Sequence, residues 1–161
     1  FDGEGVATRY KRVVDKGVLT TYLHNLKTAA KDNVASTGNA SKPSYKATVG
    51  IAPSNFYIEN GDTSLESMMQ KMGRGLLIID VQGLHSGLNA VSGDFSLPAT
   101  GYLVEEGRIV RPVDQITIAG NFFEMLKDVA MVGSDLEFGM PGSAYIGSPS
   151  LWVKSLSVSG A

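Results

Sequence analysis

The 161-residue sequence predicts an α+β fold, β-rich, with mainly antiparallel hairpins forming a curved or barrel-like sheet and two or three helices. Three observations predict it. Short apolar runs recur in pairs around Gly-containing turns, as at Asp15-Lys16-Gly17 and Glu105-Glu106-Gly107. Helix-favouring composition or spacing is confined to three stretches, two of them opened by a cap. The connections between strands are mostly of hairpin length, which favours antiparallel pairing. At this length the reading is a single domain over residues 1–161.

Each element has its own signal. Val6 to Val14 (VATRYKRVV) alternates with a period of two and turns at Asp15-Lys16-Gly17, and Val18 to Leu23 returns as the second arm. Asn25 to Lys31 carries helix-favouring Leu, Lys and Ala. Ser36 to Ser44 is loop by composition. Strands follow near Ala47 to Ala52 and Asn55 to Glu59, parted by Pro53. Thr63-Ser64-Leu65-Glu66 reads as a capping box with Thr63 at the cap. It opens a helix with Leu65, Met68, Met69 and Met72 on one stripe, stopped at Gly73 and Gly75. Leu76 to Val81 (LLIIDV) is apolar on both faces and is expected at the centre of a sheet. Leu84 to Ser96 (LHSGLNAVSGDFS) is a winding loop, followed by a hairpin of Tyr102 to Val104 with Arg108 to Val110. Gln115 to Ala119 alternates as a strand, Asn121 with Glu124 starts a helix expected to reach Val132, and Leu151 to Val158 is one last strand.

Composition narrows the function. A formal charge of −2 gives no overall footprint for nucleic acid, and Arg9, Lys11, Arg12 and Lys16 read as the solvated face of one hairpin. No apolar run reaches the ~18 residues that span a bilayer. The absence of cysteine excludes a disulfide framework and any thiolate metal site, and fits a reducing, cytoplasmic setting. The start at Phe1, already in strand-like alternation, reads as a C-terminal fragment of a longer protein.

The residues offer no complete catalytic constellation. His24 and His85 are far apart and outside any zinc-helix spacing, while such sites need three or four cooperating ligands. In Gly83-Leu84-His85-Ser86-Gly87 the serine falls one place late for a nucleophile elbow. The loop glycines supply positive φ and lack the order of a phosphate cradle. His85, among glycines, and Asp80, interrupting an apolar strand, are the polar residues best placed for a function. Asp94 suits backbone bonds within its own loop. No catalytic residue and no metal ligand is assigned.

Val91 to Val129 (VSGDFSLPATGYLVEEGRIVRPVDQITIAGNFFEMLKDV) resembles the C-terminal signature of the TldD/PmbA family, once described as modulators of DNA gyrase. The opening FDGEGVATRYKRVVDKGVLTTYL and Ser36 to Ala40 (STGNA) fit the same family. The resemblance implies a pair of homologous subunits forming a zinc metallopeptidase that degrades or matures unstructured peptides. TldD-type members carry an H-E-x-x-x-H helix before this region and a late cysteine ligand; PmbA-type (TldE-type) members lack that set. A chain without cysteine resembles the PmbA side. The expectation is then a non-catalytic subunit domain, with no cofactor of its own and zinc on a TldD-type partner. Its partners would be that homologous subunit and an unfolded peptide, in an oligomer, without nucleic acid or membrane. An active TldD-type peptidase, with its ligands in a preceding part, and a gyrase-modulating binding module are the alternatives. Gly93, Asp94, Phe95 and Ser96, with Gly120, Asn121 and Phe122, are the candidate partner or peptide contacts, Phe95 as anchor. The alternative for Phe95 and Phe122 is that both belong to the core.

Overall fold

The computed structural model describes residues 1–140, 142 and 144–160. It forms two compact units, the first from residues 1–58 and 137–148 and the second from 59–136 and from Pro149 onward. Strands are mostly antiparallel, the sheets are open, and the helices are short.

The chain starts in the first unit. β1 (Val14–Asp15) and β2 (Val18–Leu19) form the expected hairpin over Lys16 and Gly17, both at positive φ, as a type I′ turn requires. Its ladder is only two residues long in each arm, with one further bond from Thr20 N–H to the Val13 carbonyl. Residues 6–12 join no strand, because alternation alone does not hold an arm that buries no face. α1 (Leu26–Lys31) starts where expected. The Asn25 Oδ1 accepts from Thr28 N–H at 2.9 Å, and the Asn25 N–H donates to Thr28 Oγ1 at 3.2 Å. β3 (Ala40–Ser41) pairs with β4 (Gly50–Ile51), and β5 (Asn55–Tyr57) follows. What this unit buries is small or polar: Ala29, Ala40, His24, Asn25 and Asn39.

The second unit holds the apolar core. α2 (Leu65–Met72) is capped by Ser64, whose Oγ accepts from Ser67 N–H. The expected cap, Thr63, is one residue early: its backbone is held extended in a bridge with Gly133. β6 (Gly75–Val81) is an edge strand and not a central one; Ile79 is 63% exposed. α3 (Leu84–Gly87) is a single turn inside the stretch expected to be loop. β7 (Asp94–Glu105) and β8 (Arg108–Asn121) form one long hairpin over Glu106 and Gly107, both at positive φ. Asp94 to Ser96 therefore begin a strand, although the sequence placed them in a loop. β8 reads as two pieces in sequence because it bulges. The four residues Val113 to Ile116 oppose the three from Ala99 to Gly101, and Gln115 takes φ +55°. The bulge resets the inward side, so Val113, Ile116 and Ile118 all reach the core with Phe95, Leu97 and Ala99.

α4 (Phe122–Lys127) ends five residues before the expected Val132. The segment β9 (Val129–Val132), with β-branched valine at both ends, instead finds a strand partner. In the first unit, β10 (Glu137–Phe138) pairs with β11 (Tyr145–Ser148), which also runs parallel to β5. The expected single last strand is two: β12 (Leu151–Val153) on β9 and β13 (Ser157–Ser159) on β8, with Leu156 packed against the core between them. The largest sheet has the order β13-β8-β7-β6. Among the described residues no helix is long and apolar enough to cross a membrane.

Candidate functional site

The β7–β8 pairing brings together the two sequence segments singled out as contacts. Asp94 lies opposite Asn121, and Phe95 opposite Gly120. Asn121 is the hub of the knot. Its Nδ2 donates to the Ser92 carbonyl and to Asp94 Oδ1, each at 2.8 Å, and its Oδ1 accepts from the N–H groups of Phe123 and Glu124. The Phe122 N–H donates to the Gly93 carbonyl at 2.7 Å. Gly93 is constrained twice over: its φ is +84°, and a Cβ would stand 2.6 Å from the Phe123 ring. The hydrogen bond from Asn121, then that from Ser92, holds the Asp94 carboxyl below the usual carboxylate range.

Phe95 is buried in the core, and Phe122 is 42% exposed. The aromatic pair thus divides: Phe95 supports the knot from inside, and Phe122 presents at its surface. Phe123 and Leu126 are exposed beside it on α4 and were not singled out in the sequence. Leu126 lies four residues after Phe122 and three after Phe123, and that helical spacing is the signal that would have found them. A shallow groove lined by Ser86, Leu88, Asn89, Asp94 and Ser96 runs along the start of β7.

The two polar candidates sit on different elements. His85 is exposed on α3, and Asp80 is exposed near the end of β6, accepting from Gln82 Nε2 at 3.4 Å. Among the described residues no hydrogen bond or ion pair joins them. His24 is buried in the first unit, its Nδ1 3.2 Å from Thr28 Oγ1. Its carbonyl accepts from Ser36 Oγ, Thr37 Oγ1 and the Asn39 N–H, so the STGNA segment wraps this one peptide group. Among the described residues no three metal-binding side chains gather. Asp2 spends its carboxylate on the backbone N–H groups of Glu4, Val6 and Ala40, and Asp135 on Ser150.

Residues 1–160 match the model of the PmbA/TldA metallopeptidase C-terminal domain. The Metalloprotease PmbA homolog of Haemophilus influenzae is 40% identical over 138 residues, 85% of this chain and 28% of that protein. A Metalloprotease TldD homolog of Buchnera aphidicola is 29% identical over 171 residues, 99% of this chain and 35% of that protein. Among solved structures, a candidate modulator of a DNA gyrase from Thermotoga maritima superposes with a TM-score of 0.88 at 43% identity, covering 99% of this chain and 35% of that one. TldE from Thermococcus kodakarensis gives 0.87 at 27% identity, covering 99% and 36%. The chain spans about a third of the length of these relatives or less. With the family model matched along almost its whole length, the chain belongs to the PmbA/TldD metallopeptidase family as its C-terminal domain.

Proposed function

We propose that this chain serves as a PmbA/TldE-type subunit domain of a metallopeptidase assembly that acts on unstructured peptides, supplying scaffold and interface while zinc is held by a TldD-type partner. The observation that carries the reading is the gradient of similarity. The PmbA-named relative is 40% identical and the TldD-named one 29%, and the chain superposes closely on TldE. The cysteine-free sequence agrees with it. In this reading the exposed Phe122, Phe123 and Leu126 on α4 contribute the apolar centre of the subunit contact, with the Asn121 knot fixing the helix start beneath them.

The test is capture of a TldD-type subunit from the same organism by the protein and by its Phe122→Ala and Phe123→Ala variants. Both side chains are exposed, so the variants are expected to fold. Loss of capture supports the interface; undiminished capture by both moves the interface elsewhere. Elemental analysis of the dialysed protein decides the metal question separately, since one tightly held zinc per chain would refute the non-catalytic reading.

A further inference from the structure

The net charge of −2 conceals a division. The first unit carries eight basic against five acidic side chains, a balance of +3; the second carries six against eleven, a balance of −5. Much of the acid in the first unit is engaged locally. Asp2 accepts three backbone N–H groups, Glu4 Oε2 accepts the Leu26 N–H at 2.8 Å, Asp32 faces His24, and Asp15 pairs with Arg12 at 3.4 Å. Arg9, Lys11 and Lys16 have no ion pair among the described residues. Desolvation, and then the neighbouring charge of Arg9, lowers the Lys11 pKa, so like charges crowd one arm. On that arm Tyr10 is 65% exposed, and residues 6–12 join no strand.

We propose that the basic arm from Arg9 to Lys16 is a docking surface for an acidic, extended peptide segment. Charge complementarity selects the acid, and an extended segment matches the linear run of cations leading into the β1–β2 turn. A peptide fits better than nucleic acid on magnitude. The arm offers four cations, one already paired, fewer than the roughly six to ten phosphate contacts through which a nucleic-acid binder gains its large, salt-dependent affinity. This inference concerns binding and stands apart from the subunit reading: it requires neither zinc nor a TldD-type partner.

The experiment is fluorescence anisotropy on the 161-residue chain at low salt. The probes are a labelled peptide alternating Glu with Val, the same peptide with Gln for Glu, and a ten-nucleotide single-stranded DNA. Arg9→Gln combined with Lys11→Gln, and separately Lys16→Gln, are compared with Lys127→Gln in the second unit, and circular dichroism verifies folding. The expected result is binding of the acidic peptide, weakened about tenfold by the double variant, about 1.4 kcal/mol, and lessened by salt. Lys16→Gln should weaken it too, and Lys127→Gln should leave it within about twofold. Equal binding of the Gln peptide, full affinity in the folded double variant, or tighter binding of the oligonucleotide would each overturn the proposal. If the double variant does not fold, Lys16→Gln decides by the same criterion.

Discussion

Replacing Asn121 with Ala removes two functions from one side chain. The first is the helix cap, two backbone N–H groups of α4 accepted by Oδ1, worth about 0.5–2 kcal/mol. The second is the Nδ2 bond to the Ser92 carbonyl, worth about 0.5–1.5 kcal/mol. Asn121 is half-buried, so solvent replaces part of both, and a loss of about 2 kcal/mol is expected. Asn121→Asp separates the two: its carboxylate keeps the acceptor at the cap but loses the donor and sits against Asp94. The assay is urea unfolding followed by the fluorescence of Trp152, the single tryptophan, which lies in the same unit. Acid adds an independent readout. Asp94 has a depressed pKa in the folded state, so its stabilisation is present above the ordinary carboxylate pKa and is lost as pH falls through the folded value. The Ala variant should flatten that part of the pH profile. A loss under about 0.5 kcal/mol, or an unchanged acid profile, would refute the knot as described.

Other expectations follow from the same geometry. Ser64→Ala should cost about 1 kcal/mol and Thr63→Ala clearly less, measured by thermal unfolding. Gly101→Ala would drive a Cβ into the Leu77 carbonyl oxygen across the β6–β7 pairing; about 1–3 kcal/mol or more should be lost, with slowed hydrogen exchange forfeited along β6. Ile118→Ala, in the core, should cost about 2–5 kcal/mol in denaturant titration. Ser150→Ala removes the strongest support of the lowered Asp135 pKa, so stability should depend less on pH as carboxylates titrate in acid.

Local chemistry was legible in the sequence and pairing was not. Asn121 was readable as a helix start because a cap acts on the next three residues. Thr63 misled because T-S-L-E offers two hydroxyls, and the choice between them falls to a bridge with Gly133, seventy residues away. LLIIDV was apolar enough for a sheet centre, yet what flanks β6 is set by the whole topology. Gln115 at positive φ hid the continuity of β8, since no local signal marks the bulge. The Gly93 and Gly120 segments were singled out separately as partner contacts, and nothing in their spacing showed that they pair with each other. The split of charge was invisible until the chain was divided into units, because the positions that sum to each sign come from separate stretches.

The first unit is assembled from two separated pieces of chain, and this has a consequence for the order of synthesis. β5 ends at Tyr57, but its parallel neighbour β11 begins only at Tyr145. At ~5–20 residues per second, β5 waits on the order of 5–20 seconds for that neighbour to be made. Closing the intervening stretch of about ninety residues carries a length-dependent entropy cost of roughly 4 kcal/mol. β7 and β8 meet across two residues and pay almost none of it. The nascent chain therefore passes through a stage in which the long hairpin has formed while the Asn55–Tyr57 edge is still open. That edge, carrying Phe56 and Tyr57, is where a chaperone or an off-pathway strand would first engage a chain caught midway through translation.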